Sequence, residues 1–181
     1  MKKTNKSRYA ILGMLMEKSR SGYSILNMMQ QSTAHFWQES DASVYPMLKK
    51  LEAEGMVTSQ SELSGKRERN IFSITTAGKK EFSEWLSLPA GEGTHRDELL
   101  LKLFFSANAT KQDVLKQLLL HQKKIKETEQ RFNDVEKKVL SQIPDEYEHK
   151  TFWVMTLKNG RAHAQAELKW IAESISTLEK K

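Results

Sequence analysis

No cysteine occurs among the 181 residues, which removes disulfides, thiolate metal sites, thiol nucleophiles and cysteine-based redox sensing from consideration. Histidine does not take over: His35, His95, His121, His149 and His163 are scattered, with no two spaced four apart as a helical metal site requires. There is no phosphate-binding glycine loop, and the carboxylates fall on faces that also carry lysine. Neither a metal nor a cofactor is therefore expected, and the chain does not read as an enzyme. Apolar runs approaching the roughly 20 residues that span a bilayer are missing, and Met1 to Lys6 lacks the apolar core of a signal peptide. The expectation is a cytoplasmic protein with no membrane partner. Proline appears only three times and glycine eight, so each is a usable punctuation mark.

With 38% hydrophobic and 29% charged residues, the composition is that of a folded globular protein. The formal charge of +6 and pI near 9.4 favour a polyanionic partner. Before Pro89 many of the cations gather in three places: the amino-terminal arm with Lys2, Lys3, Lys6 and Arg8, the pair Lys49 and Lys50, and the cluster Lys66, Arg67 and Arg69; Lys18, Arg20, Lys79 and Lys80 lie elsewhere. After Pro89 both signs alternate closely, as on a solvated helix surface.

The segment from Ser43 to Leu51 explains the second cluster. Val44, Met47, Leu48 and Leu51 recur at i, i+3, i+4 and i+7, so they form one buried stripe of a helix. Ser43, Tyr45, Pro46, Lys49 and Lys50 occupy the other side, and their hydroxyl, phenol and ammonium groups suit phosphate oxygens and base edges. Asp41 is the expected cap, Pro46 is expected in the first turn, and Gly55 stops the helix. Upstream, a helix over Ser7 to Glu17 turns Ile11, Leu12 and Leu15 inward, with Gly13 as a close-packing point. A turn at Ser19 to Gly22 follows. A second helix over Gly22 to Gln31 contributes Ile25, Leu26 and Met29. Its opening residues Ser21 to Ser24 either cap the helix or present free N–H groups to a phosphate. Downstream, Met56 to Leu63 and Arg69 to Thr75 read as two strands joined by Ser64 to Arg67, a basic hairpin or wing. A helix from Thr76 closes the core with Phe82, Trp85 and Leu86.

Pro89 to Thr94 is the one stretch rich in proline and glycine, and it sets the expected organisation: 1–88 a winged helix-turn-helix, 89–95 a linker, 96–181 a helical domain. In the second part, Arg96 to Phe105 reads as an apolar helix, and Thr110 with Asp113 as a capping pair opening a longer one. Leu118, Ile125, Phe132 and Val139 fall seven apart. The last helix repeats the device with Leu157, Ala164, Ile171 and Leu178, flanked by Val154, Leu168 and Ile175. Seams of this length are expected to be covered in part by a second copy of the chain. The fold class is thus mainly α, an amino-terminal winged helix-turn-helix followed by a coiled-coil-like dimerisation domain, with Leu157, Ala164, Leu168, Ile171, Ile175 and Leu178 as candidate dimer residues.

The ordered motifs Tyr9-Ala10-Ile11-Leu12-Gly13, Ser21-Gly22-Tyr23, Phe36-Trp37, Ser43-Val44-Tyr45-Pro46-Met47-Leu48-Lys49-Lys50-Leu51, Phe72-Ser73-Ile74-Thr75-Thr76-Ala77-Gly78 and Trp85-Leu86 resemble the PadR family of bacterial transcriptional regulators. Arg96-Asp97-Glu98-Leu99 and the long tail with Trp170 are similar to its larger subfamily, which includes the phenolic-acid regulator. The resemblance implies a homodimer on a pseudo-palindromic double-stranded operator, in most cases a repressor released by a small, often aromatic effector, with an activator of the same family as the alternative. It further implies that Ser43, Tyr45 and Lys49 read the major groove while Ser21, Tyr23, Lys66, Arg67 and Arg69 hold the backbone, with Lys50 beside them. Phe36, Trp37, Arg96 and Trp153 are the candidate effector residues, although aromatic side chains in such places usually belong to a core. A helical adaptor that binds protein is the less favoured alternative, and the basic wing argues against it.

Replacing Lys66, Arg67 and Arg69 together by alanine is expected to weaken binding to specific and random DNA alike. It should also flatten the dependence of log affinity on log salt by about 0.9 for each phosphate that is no longer neutralised. Titrations at several salt concentrations check this, and an unchanged slope rules out a wing on the backbone.

Overall fold

The computed structural model describes residues 5–64, 67–91 and 96–180. It forms two compact units, Met1–Glu92 and Gly93–Lys181. None of the described helices is long and apolar enough to cross a membrane.

The first unit runs α1 (Ser7–Met14), β1 (Arg20–Ser21), α2 (Gly22–Ser32), α3 (Asp41–Ala53), β2 (Val57–Ser64), β3 (Arg67–Ile74) and α4 (Thr76–Leu86). The strands make one antiparallel sheet in the order β1-β3-β2, with Arg20 opposite Phe72 and Val57 opposite Ile74. Strand β1 stands where a turn is expected; two residues are too few for an alternating pattern to register. To bring Arg20 to the sheet, α1 ends three residues before Glu17. Its last turn tightens through Leu15 N–H to Leu12 O (3.0 Å), and the Arg20 guanidinium caps the Met14 carbonyl at 2.8 Å.

The core of this unit is the one the helical periodicity indicates. Ile11, Leu12 and Leu15 of the α1 segment, Ile25, Leu26 and Met29 of α2, and Val44, Met47, Leu48 and Leu51 of α3 are all buried together with Val57 and Phe72. Removing each large side chain from water stabilises the fold by about 2 kcal/mol, so the four on α3 alone outweigh any surface contact that helix makes. Two local expectations need correction. Ser40, not Asp41, is the N-cap of α3, because its extended backbone (φ −125°, ψ 167°) lets its N–H reach back to Ser43 Oγ at 3.0 Å. Pro46 therefore lies in the second turn rather than the first. The bond it cannot donate would go to Ala42, whose exposed position lets water serve instead.

Gly55, at φ +73°, ends α3 in the left-handed region and turns the chain into β2. The start of α4 is locked onto this point. The Thr75 hydroxyl donates to Gly55 O at 2.8 Å, the Thr75 N–H donates to Met56 O at 3.0 Å, and Gly78 N–H donates to Thr75 Oγ1 at 3.1 Å. Gly78 permits the approach, since a Cβ there would lie 2.2 Å from Met56 O. Arg8 ties three helices together, with Glu81 at 2.6 Å on α4 and Glu54 at 2.9 Å at the end of α3. Beside it Tyr9 stacks on Trp85 at 4.5 Å, and Phe82 packs where a Cβ on Gly13 would meet it at 3.1 Å. Leu86, expected in this core, is exposed as the last residue of α4.

The second unit comprises α5 (Glu98–Phe104), a 3₁₀ turn at Ser106–Asn108, α6 (Lys111–Lys138), a second turn at Leu140–Gln142, and α7 (Glu148–Glu179). Asp97 caps α5 through Leu100 N–H (2.9 Å), starting it two residues later than expected. Thr110 caps α6 by accepting from Asp113 N–H at 3.1 Å. Helices α6 and α7 pair antiparallel, and the two seams face each other within one chain: Leu157 and Ala164 pack with Phe132 and Leu140, and Ile171 packs with Val114 and Leu118. Val139 leaves the seam and is exposed, because α6 stops at Lys138 and the following turn presents Leu140 inward instead. Polar clasps fix the register. His121 Nε2 meets Glu167 Oε1 at 2.5 Å, and Arg161 reaches Asn133 at 2.7 Å and Glu136 at 2.5 Å. The Arg161 hydrogen bond holds the Glu136 carboxyl below its usual range.

Gly78→Ala is expected to cost about 1–3 kcal/mol, because it forces a methyl against a backbone oxygen. Gly55→Ala, with open space around it, should cost only the left-handed backbone strain of about 1–2 kcal/mol. Urea unfolding of both variants checks this, and a Gly78→Ala protein as stable as the parent contradicts the close approach.

Candidate nucleic-acid interface

Because Val44, Met47, Leu48 and Leu51 turn inward, Tyr45, Lys49 and Glu52 share the outward face of α3 at i, i+4 and i+7. The N-terminus of α2 approaches the same face. Gly22 makes this possible, as a Cβ there would lie 2.7 Å from the Tyr45 ring and 3.3 Å from Leu48. Strand β3 supplies the third wall. The result is a groove of about 680 Å³ lined by Ser21, Gly22, Tyr23, Tyr45, Lys49, Glu52, Arg69, Asn70 and Phe72.

Five of the residues singled out from the sequence thus meet in one place: Ser21, Tyr23, Tyr45, Lys49 and Arg69. Tyr23 is 72% exposed and Tyr45 43%, large values for aromatic side chains. Two phenols, an ammonium, a guanidinium and a carboxamide offer donors to a polyanion. The one carboxylate, Glu52, accepts a hydrogen bond from the Ser59 hydroxyl on β2. Ser21 caps α2 by accepting from Ser24 N–H at 3.2 Å, which leaves its proton free to face outward. Glu52 and Asn70 are not indicated by the sequence alone. Glu52 follows from projecting the helix face one turn further, whereas Asn70 depends on a strand register that only the fold supplies.

Other indicated residues stand apart. Lys50 lies on the neighbouring face, 3.9 Å from Glu54, and does not line the groove. Ser43 is drawn into the first turn of α3, bonded to Ser40 N–H and to Glu39. Lys66 lies outside the described residues, and Arg67 is placed by its backbone opposite Ser64. Phe36, 57% exposed, packs edge-on to His35 between α2 and α3, and Trp37 donates its indole N–H to Glu39 at 2.8 Å. In the second unit Arg96 is exposed just ahead of α5, and Trp153 contacts Tyr147 and His149, which no sequence pattern singles out. Of the candidate dimer residues, Leu157, Ala164 and Ile171 are already covered by α6 of their own chain, while Leu168, Ile175 and Leu178 are half-buried beside them.

Gly22→Ala must push the Tyr45 ring aside, and an exposed ring can move. DNA affinity is expected to fall about threefold to tenfold, the worth of one hydrogen bond, with unfolding free energy changed by less than about 1 kcal/mol. Titration alongside urea unfolding separates the two effects; unaltered affinity means that Tyr45 does not touch the DNA.

Known proteins share the sequence and the fold. The transcriptional regulator PadR-like family matches residues 11–84, and the virulence activator alpha C-terminal family matches residues 95–179. The negative transcriptional regulator PadR of Bacillus subtilis (strain 168) is 36% identical over 109 residues, an alignment that spans 59% of this chain and 59% of that protein. The crystal structure of Bacillus subtilis PadR in complex with operator DNA superposes with a TM-score of 0.84 at 23% identity, covering 96% of this chain and 99% of the other. The same regulator in complex with p-coumaric acid gives a TM-score of 0.79 at 22% identity, covering 97% and 99%. The fold is that of the solved PadR structures, and the chain carries a PadR-like transcriptional regulator domain at residues 11–84 followed by a carboxy-terminal extension of the virulence-activator type at 95–179.

Proposed function

We propose that the chain is a sequence-specific DNA-binding repressor, a homodimer on a pseudo-palindromic operator, that a small aromatic molecule releases. It regulates rather than catalyses, and it works in the cytoplasm where the operator is. The observation that carries this reading is the convergence of Ser21, Tyr23, Tyr45, Lys49 and Arg69 on one groove beside α3. In this account the outward face of α3 enters the major groove, which is wide enough for a helix. Tyr45 and Lys49 reach base edges, the Ser21 hydroxyl and the Tyr23 phenol hold a phosphate at the start of α2, and Arg69 and the wing hold the next backbone segment.

Residues 1–88 form the reading unit, 89–95 the linker and 96–181 the dimerising unit. Exposed apolar side chains of the second unit, among them Leu101, Phe104, Leu119 and Leu120, are the surface a second copy buries, since much of the α7 seam is already covered by α6. The effector assignment is supported by the p-coumaric acid complex of the Bacillus subtilis regulator. Activation in place of repression is the second reading, favoured by the match of residues 95–179 to a virulence-activator family.

The test is binding of the full chain to the DNA upstream of its own gene. A two-half-site duplex should bind much more tightly than a single half-site, because two-fold related α3 helices address sites one or a few helical turns apart. Hydroxycinnamic acids should release the complex where aliphatic acids of equal charge do not. Equal affinity for operator and random duplex removes the repressor reading, and a Tyr45→Phe variant that loses both equally removes base reading by Tyr45.

A further inference from the structure

The first turn of α3 carries a hydroxyl whose proton is directed inward. Ser43 Oγ donates to Glu39 Oε2 at 2.5 Å, with the Ser40 carbonyl a second internal acceptor at 2.9 Å. It accepts from Ser40 N–H at 3.0 Å. The other carboxylate oxygen, Glu39 Oε1, accepts from Trp37 Nε1–H at 2.8 Å. Glu39 is therefore held by both oxygens, half-buried, at the end of the helix where the macrodipole favours negative charge. A serine hydroxyl has one proton and two lone pairs. With the proton turned to Glu39 and one lone pair bound to Ser40, a single lone pair is left for a ligand.

A lone pair finds no partner in a phosphate oxygen, guanine O6 or N7, or thymine O4, which are all acceptors. It takes a proton only from an exocyclic amine, adenine N6 or cytosine N4. We propose that Glu39 sets the base preference of the reading helix by fixing Ser43 as an acceptor, so that Ser43 selects adenine or cytosine on the contacted strand and rejects guanine and thymine. The inference rests on the DNA-binding reading above and adds to it a base contact by Ser43, at the amino-terminal end of α3 beside the groove, together with the polarity of that contact. Glu39 is a positioning residue, acting through Ser43. Without it the proton is held only by the Ser40 carbonyl, a neutral and weaker acceptor than a carboxylate, so the hydroxyl turns more readily to suit either kind of base edge and discriminates less.

Glu39→Gln reverses the polarity. Trp37 Nε1–H is a donor only, so the amide oxygen must stay on Trp37 and the amide nitrogen must face Ser43. That nitrogen donates to Ser43 Oγ, occupies its last lone pair, and leaves the hydroxyl proton to be shared between the Ser40 carbonyl and an acceptor on the base edge. The experiment is selection from a pool of duplexes randomised over one half-site, carried out with the full-length parent, Glu39→Gln, Glu39→Ala and Ser43→Ala proteins. At one position the parent should enrich adenine or cytosine about threefold to tenfold, the worth of one hydrogen bond. Glu39→Gln should shift that position towards guanine or thymine, Glu39→Ala should reduce the preference there and Ser43→Ala should abolish it, with other positions unchanged in all four. Glu39→Ala serves alone if the glutamine variant does not fold. A purely structural role would instead weaken every position evenly. Identical profiles for the parent and both Glu39 variants, or a parental preference for guanine or thymine at the position that Ser43→Ala erases, overturn the assignment. A parent that enriches no sequence removes the DNA-binding reading itself.

Discussion

Val44, Met47, Leu48 and Leu51 leave water together against the first two helices and the sheet, and that burial orients α3 before any functional group is considered. Once the stripe is inside, a rotation of about 100° per residue leaves Tyr45, Lys49 and Glu52 no choice but to face out. The glycines then decide what comes near them. Gly22 brings the start of α2 against the Tyr45 ring, Gly55 folds the sheet back beside α3, and Gly78 lets α4 close over the junction. The groove is thus a by-product of packing: its polar residues contribute almost nothing to stability, and the apolar ones behind them contribute nearly all of it.

Periodicity made this core legible from the sequence. A helical stripe depends on a spacing that the chain itself carries, so the core positions of α1, α2 and α3 follow directly. What escaped was whatever depends on another segment. Two-residue β1 exists only because β3 is there to pair with it, and the end of α1 moves because Arg20 is recruited to that pair. Ser43 shows the same limit at the site. Its place on α3 is plain from the spacing, but its bond to Glu39 is a matter of how the preceding loop returns to the helix. Asn70 joins the groove through strand register, which no local pattern announces.

The second unit reverses that lesson, since the seams were visible and their partner was not. Leu157, Ala164 and Ile171 look from the sequence like a surface awaiting another molecule, yet α6 of the same chain takes them. Heptad spacing states that a helix pairs and is silent about with which one. The polar clasps carry the missing information: His121 with Glu167, and Arg161 with Asn133 and Glu136, are hydrogen-bonded in the antiparallel hairpin the chain adopts. Sliding α7 by one turn would part all of them at once, so register is protected by groups that add little stability.

Arg8 has a mechanical meaning beyond its two ion pairs. One guanidinium holds the carboxylates of Glu54 and Glu81, and the Thr75 hydroxyl bridges to the Gly55 carbonyl beside it. Three helices are cross-braced at the far end of α3 from Ser43, while Val44 is buried at the near end, so α3 is held at both ends and moves only with the body that carries it. A beam fixed at both ends follows its frame without bending. Any signal that turns the base of this unit re-aims the reading surface as a whole and leaves its chemistry intact.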